Sequence, residues 1–206
     1  MRIPLNWANR VTMARMIFIP VVVVVLLARL PNWGPWWAAG LFALLAATDA
    51  VDGYLARSRN EVTTFGKLID PLADKLLVTA ALVSLVELSA VPAWVALIII
   101  SREFIVTGLR MVAMAEGRVI SAGAYGKAKT VLQVIAIVAF ILKDTEPVRA
   151  LGSDLNMAFG VLSWILMSVA LVLTVLSMVD YFYHARDVIT IDRGTRKDVA
   201  PESKGA

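Results

Sequence analysis

The 206-residue sequence has no cysteine and a single histidine. The first absence excludes disulfides, thiolate metal sites and a cysteine nucleophile; the second excludes any multi-histidine metal site. Charge is also scarce, at 17% of residues against about 25% in typical soluble domains. Val, Leu, Ile and Ala fill the space, and the hydrophobic share reaches 59%, above the roughly 45–50% of soluble domains. Disordered chains, disulfide scaffolds and nucleic-acid-binding tails are excluded by that balance, and no nucleic-acid partner is expected. What remains is an all-α, multi-span membrane protein of one domain.

A helix needs about 20 residues to cross a bilayer core. Six stretches qualify: 12–30, 34–57, 66–87, 92–115, 125–142 and 155–183, of which only the last holds a long charge-free run, 155–179. No small-residue cleavage site follows the first, so it reads as a retained anchor. With the N-terminus inside, 17 of the 20 Lys and Arg residues fall on inner segments, leaving Arg29, Lys143 and Arg149 outside. By the positive-inside rule both termini are cytoplasmic. Trp33, Trp36, Trp37 and Trp94 then mark the outer interface, and Trp7, Tyr181 and Tyr183 the inner one. Ile3, Trp7, Val11 and Ala14 recur at helical spacing among Arg2, Arg10 and Arg15, which predicts a short interfacial helix over 1–14. The membrane domain is expected to run over 1–185, followed by a polar cytoplasmic tail, 186–206.

Four carboxylates sit where membrane helices rarely carry them. Asp49 and Asp52 lie near the inner end of the second span, and Asp70 and Asp74 in the first turns of the third. Charge at that depth is costly and marks a functional site. Asp49, Asp52, Gly53 and Ala56 fall at i, i+3, i+4 and i+7, one helix face; Gly66, Asp70 and Asp74 fall at i, i+4 and i+8, another. A short inner loop makes the two helices antiparallel neighbours. Carboxylates this close cannot all stay ionised without cations. An oxygen-only donor set suits Mg²⁺ or Mn²⁺ rather than zinc, and two divalent ions would balance four aspartates. The competing structural account pairs them with Arg57, Arg59, Lys67 and Lys75, but leaves the small residues on the same faces unexplained. Pro71, between two of the aspartates, should start or kink its helix.

Read in order, these residues are Asp49-x2-Asp52-Gly53-x2-Ala56-Arg57-x8-Gly66-x3-Asp70-x3-Asp74. The series resembles the signature of the CDP-alcohol phosphotransferase family, with every fixed position filled. Further segments resemble the branch of that family that takes sn-glycerol 3-phosphate as acceptor and makes phosphatidylglycerophosphate. They are Asn9-x2-Thr12-x2-Arg15, the run from Ile69 to Lys75, Arg102-Glu103-Phe104, Gly108-Leu109-Arg110, and Gly126 to Thr130 with Gln133. The likeness covers roughly 5–142; Ala8 stands where proline is expected. The resemblance implies six membrane helices, a homodimer in a bacterial cell membrane, and transfer of a phosphatidyl group from CDP-diacylglycerol with release of CMP. It implies Asp49, Asp52, Asp70 and Asp74 as metal ligands and Asp74 as general base. Gly53, Ala56, Arg57 and Gly66 match positions that contact the CDP part of the donor.

The acceptor's phosphate needs positive charge. Arg102, Arg110, Lys127 and Lys129 cluster at the inner ends of the fourth and fifth spans and are the candidates to bind it. The positive-inside bias would supply some of them in any case. Glu103 and Arg110, seven apart on one helical face, are expected to pair; Lys129 and Gln133, four apart, share a face. A sibling enzyme with inositol phosphate, serine or a second phospholipid as acceptor is the first alternative. A divalent-cation transporter is the remote one, since a transport path would need acidic residues at several depths.

Overall fold

The computed structural model describes residues 7–28, 30, 33–58, 64–115, 124–143, 145–150 and 152–195. Side chains are described for these except 7–11, 49–58, 64–72, 74, 114–115, 124–128 and 183–195. Seven helices and no strands occur among them: α1 (Trp7–Leu27), α2 (Gly34–Ser58), α3 (Thr64–Glu87), α4 (Ala93–Ala115), α5 (Ala124–Leu142), the single turn α6 (Glu146–Arg149) and α7 (Ser153–Thr195). The expectation of an all-helical chain therefore holds. Among the described residues, only one segment, Ser153–Phe182, is by itself long and apolar enough to cross a bilayer; shorter apolar runs are Thr12–Leu27, Gly34–Thr48 and Lys129–Leu142. The other long helices carry charged residues within their length, which shorten their apolar stretches.

Two boundaries differ from expectation. The surface helix expected over 1–14 is continuous with the first span from Trp7 onward, because α1 runs unbroken to Leu27. Residues 1–6 lie outside the described ones. At the other end α7 continues through Thr195, so the segment after 185 starts as helix. Pro71 does not start α3, which begins seven residues earlier; Pro20 likewise lies inside α1.

The core is one cluster drawn from six helices. It includes Ile19, Val22 and Leu26 of α1, Phe42 of α2, Leu82 and Leu85 of α3, Ile99 of α4, Ile137 and Phe140 of α5, and Met167 of α7. Small residues recur at the buried positions, among them Ala38, Ala39, Ala81, Ala96, Ala136 and Ala170, and let the helix backbones approach closely. α1 packs on α2 and α3, α3 on α4, α5 on α2 and α3, and α7 on α4 and α5. Phe140 and Trp164 meet edge to face, with centroids 5.0 Å apart, and fix α5 against α7.

The α3–α4 turn is closed by backbone bonds. The Ala90 N–H donates to Leu85 O at 2.9 Å and the Ser89 N–H to Val86 O at 2.9 Å, the paired bonds of a Schellman cap. Ser89 takes the left-handed conformation that this cap needs, with φ 56°.

Candidate active site

The helix backbone turns the aspartate spacing into faces. Asp49, Asp52, Gly53, Ala56 and Arg57 fall in the last ten residues of α2; Gly66, Asp70 and Asp74 fall in the first eleven of α3. The two helices follow one another in the chain and touch. The side chains of Asp49, Asp52, Arg57, Asp70, Asp74 and Lys127, and the surroundings of Gly53, Ala56 and Gly66, lie outside the described set.

Beside the aspartate-bearing part of α3 lies a buried charge cluster. Counted from the helix ends at Glu87, Ala93 and Leu142, residues Lys75, Glu103 and Lys129 lie 12, 10 and 13 residues along α3, α4 and α5. At 1.5 Å per residue, each is about 15–20 Å from that end of the bundle, and the three side chains converge. Glu103 Oε1 accepts from Lys129 Nζ and, at 3.2 Å, from Arg102 Nη1. Its other oxygen, Oε2, lies 3.3 Å from Lys75 Nζ. Arg102 Nη2 reaches across to α7 and donates to Ser177 Oγ at 2.5 Å. Three helices thus meet at one carboxylate, and α7 joins them through Arg102.

Burial makes the arrangement consequential. Lys129 is 1% exposed, Glu103 7% and Arg102 8%. Charges at this depth persist only when paired, and removing one partner of such a pair typically costs about 3–5 kcal/mol. Some donors nonetheless have no protein partner. Arg102 Nε and Gln133 Nε2 are buried and unbonded, as is Arg110 Nε farther along α4. Buried N–H groups left over in this way are capacity for a polar ligand or water. Thr12 and Arg15 of α1, also buried, each have a partner, although Arg15 Nε itself is unbonded.

Of the four cations expected at the acceptor, Arg102 and Lys129 come together, Arg110 is half-buried on the same helix as Arg102, and Lys127 is outside the described side chains. The expected Glu103–Arg110 pair does not form: Glu103 is taken by Lys129, Arg102 and Lys75. Seven residues of helix separate the two by about 10 Å along the axis, too far when three cations lie nearer. Sequence reasoning set Lys75 against the aspartates rather than Glu103, and missed Ser177. The Arg102-Glu103 dipeptide inside an apolar helix was the available signal, but its partners are on other helices and no local spacing names them.

A family model for CDP-alcohol phosphatidyltransferase matches residues 5–176. The chain belongs to that family, whose members are transferases that generally depend on a divalent metal. Among its relatives is the CDP-diacylglycerol–glycerol-3-phosphate 3-phosphatidyltransferase of Bacillus subtilis (strain 168), 46% identical over 151 residues, 68% of this chain and 78% of the relative. A probable phosphatidylglycerophosphate synthase of Mycobacterium tuberculosis (strain CDC 1551 / Oshkosh) is 36% identical over 192 residues, covering 89% and 83%. The CDP-diacylglycerol–glycerol-3-phosphate 3-phosphatidyltransferase of Rickettsia bellii (strain RML369-C) is 35% identical over 185 residues, covering 88% and 96%.

Proposed function

We propose that this chain transfers the phosphatidyl group of CDP-diacylglycerol to sn-glycerol 3-phosphate, giving phosphatidylglycerophosphate and CMP. The observation that carries the reading is the complete eight-residue aspartate series at adjoining ends of α2 and α3, with a buried cation cluster beginning one residue after Asp74. The relatives named for this reaction support the same acceptor.

The reading takes α1–α5 and α7 as six membrane spans of a cell-membrane protein, both termini cytoplasmic, with a second copy as partner. Its support is the outward-facing apolar surface: Ile17, Val24, Leu97, Val131 and Ile165 are all more than half exposed. Soluble monomers rarely show so much apolar surface. Trp33, Trp37 and Trp94 are exposed at the helix ends opposite the aspartates, as interfacial anchors are.

Asp49, Asp52, Asp70 and Asp74 would hold the metal, and an all-carboxylate donor set fits Mg²⁺, with Mn²⁺ able to replace it. When bound, two such ions supply positive charge to the donor's phosphate oxygens as charge builds up in transfer. The rest is the chain's own work. Asp74 takes the proton of the acceptor hydroxyl as its oxygen attacks the phosphorus that carries diacylglycerol. The new P–O bond forms as the bond to the CMP oxygen breaks, and CMP leaves with that electron pair. Gly53, Ala56 and Gly66 offer little side chain against the donor's CDP part, and Arg57 offers charge to it. Arg102 and Lys129, with Arg110 and Lys127, hold the acceptor's phosphate while its hydroxyl is presented to Asp74.

The test is direct. Purified protein in mixed micelles receives CDP-diacylglycerol, Mg²⁺ and, separately, labelled glycerol 3-phosphate, inositol phosphate, serine and phosphatidylglycerol. Labelled phosphatidylglycerophosphate from glycerol 3-phosphate alone is the expected result. Labelled lipid from another acceptor, and none from glycerol 3-phosphate, overturns the assignment.

A further inference from the structure

The reading above gives Lys129 a phosphate to hold, yet its ammonium is almost completely enclosed and already engaged. Its exposure is 1%, and the carboxylate it meets, on α4, is 26 residues away in sequence. An ammonium at this depth needs a counter-charge. Glu103 supplies it, and with the same oxygen accepts from Arg102 Nη1 at 3.2 Å. One oxygen therefore sets two cations side by side, while the second oxygen faces Lys75, the neighbour of Asp74 on α3. Arg102 is fixed from the far side by Ser177 of α7, and its Nε remains unbonded. A carboxylate cannot itself bind a phosphate, because like charges repel. Its place at the centre of the cations must serve those cations.

We propose that Glu103 is a positioning residue: it holds Lys129 and Arg102 side by side, aimed for the acceptor's phosphate. The inference rests on the acceptor reading above and adds a group to it that does not touch substrate. Without the carboxylate, Lys129 is an uncompensated buried ammonium that swings out of place, and the phosphate loses a positioned partner. Glu103 acts through Lys129, so the two residues should not contribute independently.

The experiment is a double-mutant cycle on the full-length protein in mixed micelles with Mg²⁺, reading KM for glycerol 3-phosphate, KM for CDP-diacylglycerol, kcat and thermal unfolding. Lys129→Gln should raise KM for glycerol 3-phosphate roughly tenfold or more. Glu103→Gln should raise it by a similar factor, and Glu103→Gln with Lys129→Gln by no more than either alone. KM for CDP-diacylglycerol should change less than about threefold throughout. The double variant should unfold at a higher temperature than Glu103→Gln alone, since Lys129 is then no longer an unpaired buried ammonium, although Arg102 still lacks its carboxylate. Glu103→Asp, which keeps the charge but shortens the reach, should give an intermediate rise; it carries the same test if Glu103→Gln does not fold.

A purely structural Glu103 would lower stability and active fraction while leaving the acceptor KM of the Gln and Asp variants at the wild-type value, and that result overturns the proposal. Multiplying effects in the double variant overturn it too. If Lys129→Gln itself leaves the acceptor KM unchanged, the placement of Lys129 at the acceptor fails, and this proposal with it. If the wild type makes no product from glycerol 3-phosphate, the acceptor assignment fails first.

Discussion

Helices α4 and α7 are both apolar and pack against each other, yet they are built by opposite rules. In α7 the run 155–179 holds no charged residue, and its large side chains point outward: Leu155, Val161, Ile165, Val172 and Leu176 are all exposed. Two of its hydroxyls are turned in, with Ser163 and Thr174 fully buried and Ser163 Oγ donating to the Phe159 carbonyl at 2.8 Å. α4 carries Arg102, Glu103 and Arg110 in 23 residues and buries the first two. Such charges prevent a helix from passing as a membrane span by composition, although α4 packs in the same bundle as α7. The difference teaches that polarity turned inward is tolerated where neighbouring helices supply the partners. α7 tops up the polar interior with one hydroxyl, Ser177; α3, α4 and α5 supply the charges.

The largest effects should come from the charged side of that contrast. Removal of divalent metal by excess chelator should abolish turnover, and Mg²⁺ or Mn²⁺ should restore it; undiminished activity in chelator would break the reading of the four aspartates. Asp74→Asn should lower kcat by roughly 100- to 10,000-fold, the scale of a lost general base. Donor binding, measured by equilibrium dialysis with a CDP-diacylglycerol analogue, should survive in that variant. Asp49→Asn and Asp70→Asn should weaken metal and donor binding as well. Near-normal kcat in Asp74→Asn would move the base elsewhere.

Next in size come cavities. Leu82 is fully buried in the core and Leu176 is exposed on α7. Leu82→Ala should destabilise the protein by about 2–5 kcal/mol, whereas Leu176→Ala should stay within about 0.5 kcal/mol. Thermal unfolding in one detergent compares them. Equal losses would mean that α7 is covered by more than lipid or detergent.

Helix positions, the placing of the aspartates on successive helices and the family were legible in the sequence because each is a matter of spacing along one chain segment. The buried hub was not. Glu103 was legible as an anomaly, but its nearest cation along its own helix face, Arg110, is not its partner. Lys129 and Lys75 reach it from two other helices, and Ser177 reaches Arg102 from a helix that carries no motif. Helix packing decides those contacts, and packing is read from the arrangement of Ala38, Ala81, Ala96 and their like rather than from any charged residue. The surface helix and the first span share one unbroken helix from Trp7 to Leu27, and Arg10 and Arg15, which suggested a separate surface segment, do not interrupt it.

A narrower effect separates cations by place. Arg110→Gln should raise KM for glycerol 3-phosphate by the loss of one charge-assisted bond, about 1.5–3 kcal/mol or roughly tenfold and more. Arg149→Gln, exposed in α6, should leave both substrate KM values alone. Equal small effects would reduce the inner cations to orientation signals and should then appear as altered topology or expression instead.

The smallest effects sit in two turns far from the chemistry, and they test whether the quiet end of the molecule is tuned for stability alone. Ser89 closes α3 in the left-handed region at φ 56°, where an L-residue costs about 1 kcal/mol or more relative to glycine. Glycine removes that strain but loosens the unfolded chain, so Ser89→Gly should gain only about 0.5–1 kcal/mol. Gly152, ahead of α7, is the mirror case: at φ 105° no side chain sits comfortably, although open space surrounds the position. Gly152→Ala should therefore lose about 1–2 kcal/mol through backbone strain rather than through a clash. Both variants should keep wild-type kcat and both KM values, because neither turn touches the aspartate helices' opposite ends or the Glu103 hub. Unfolding temperatures moving in opposite directions, with kinetics unchanged, is the expected pattern. A fall in kcat for either would show that the turns at this end of the bundle are coupled to the site after all.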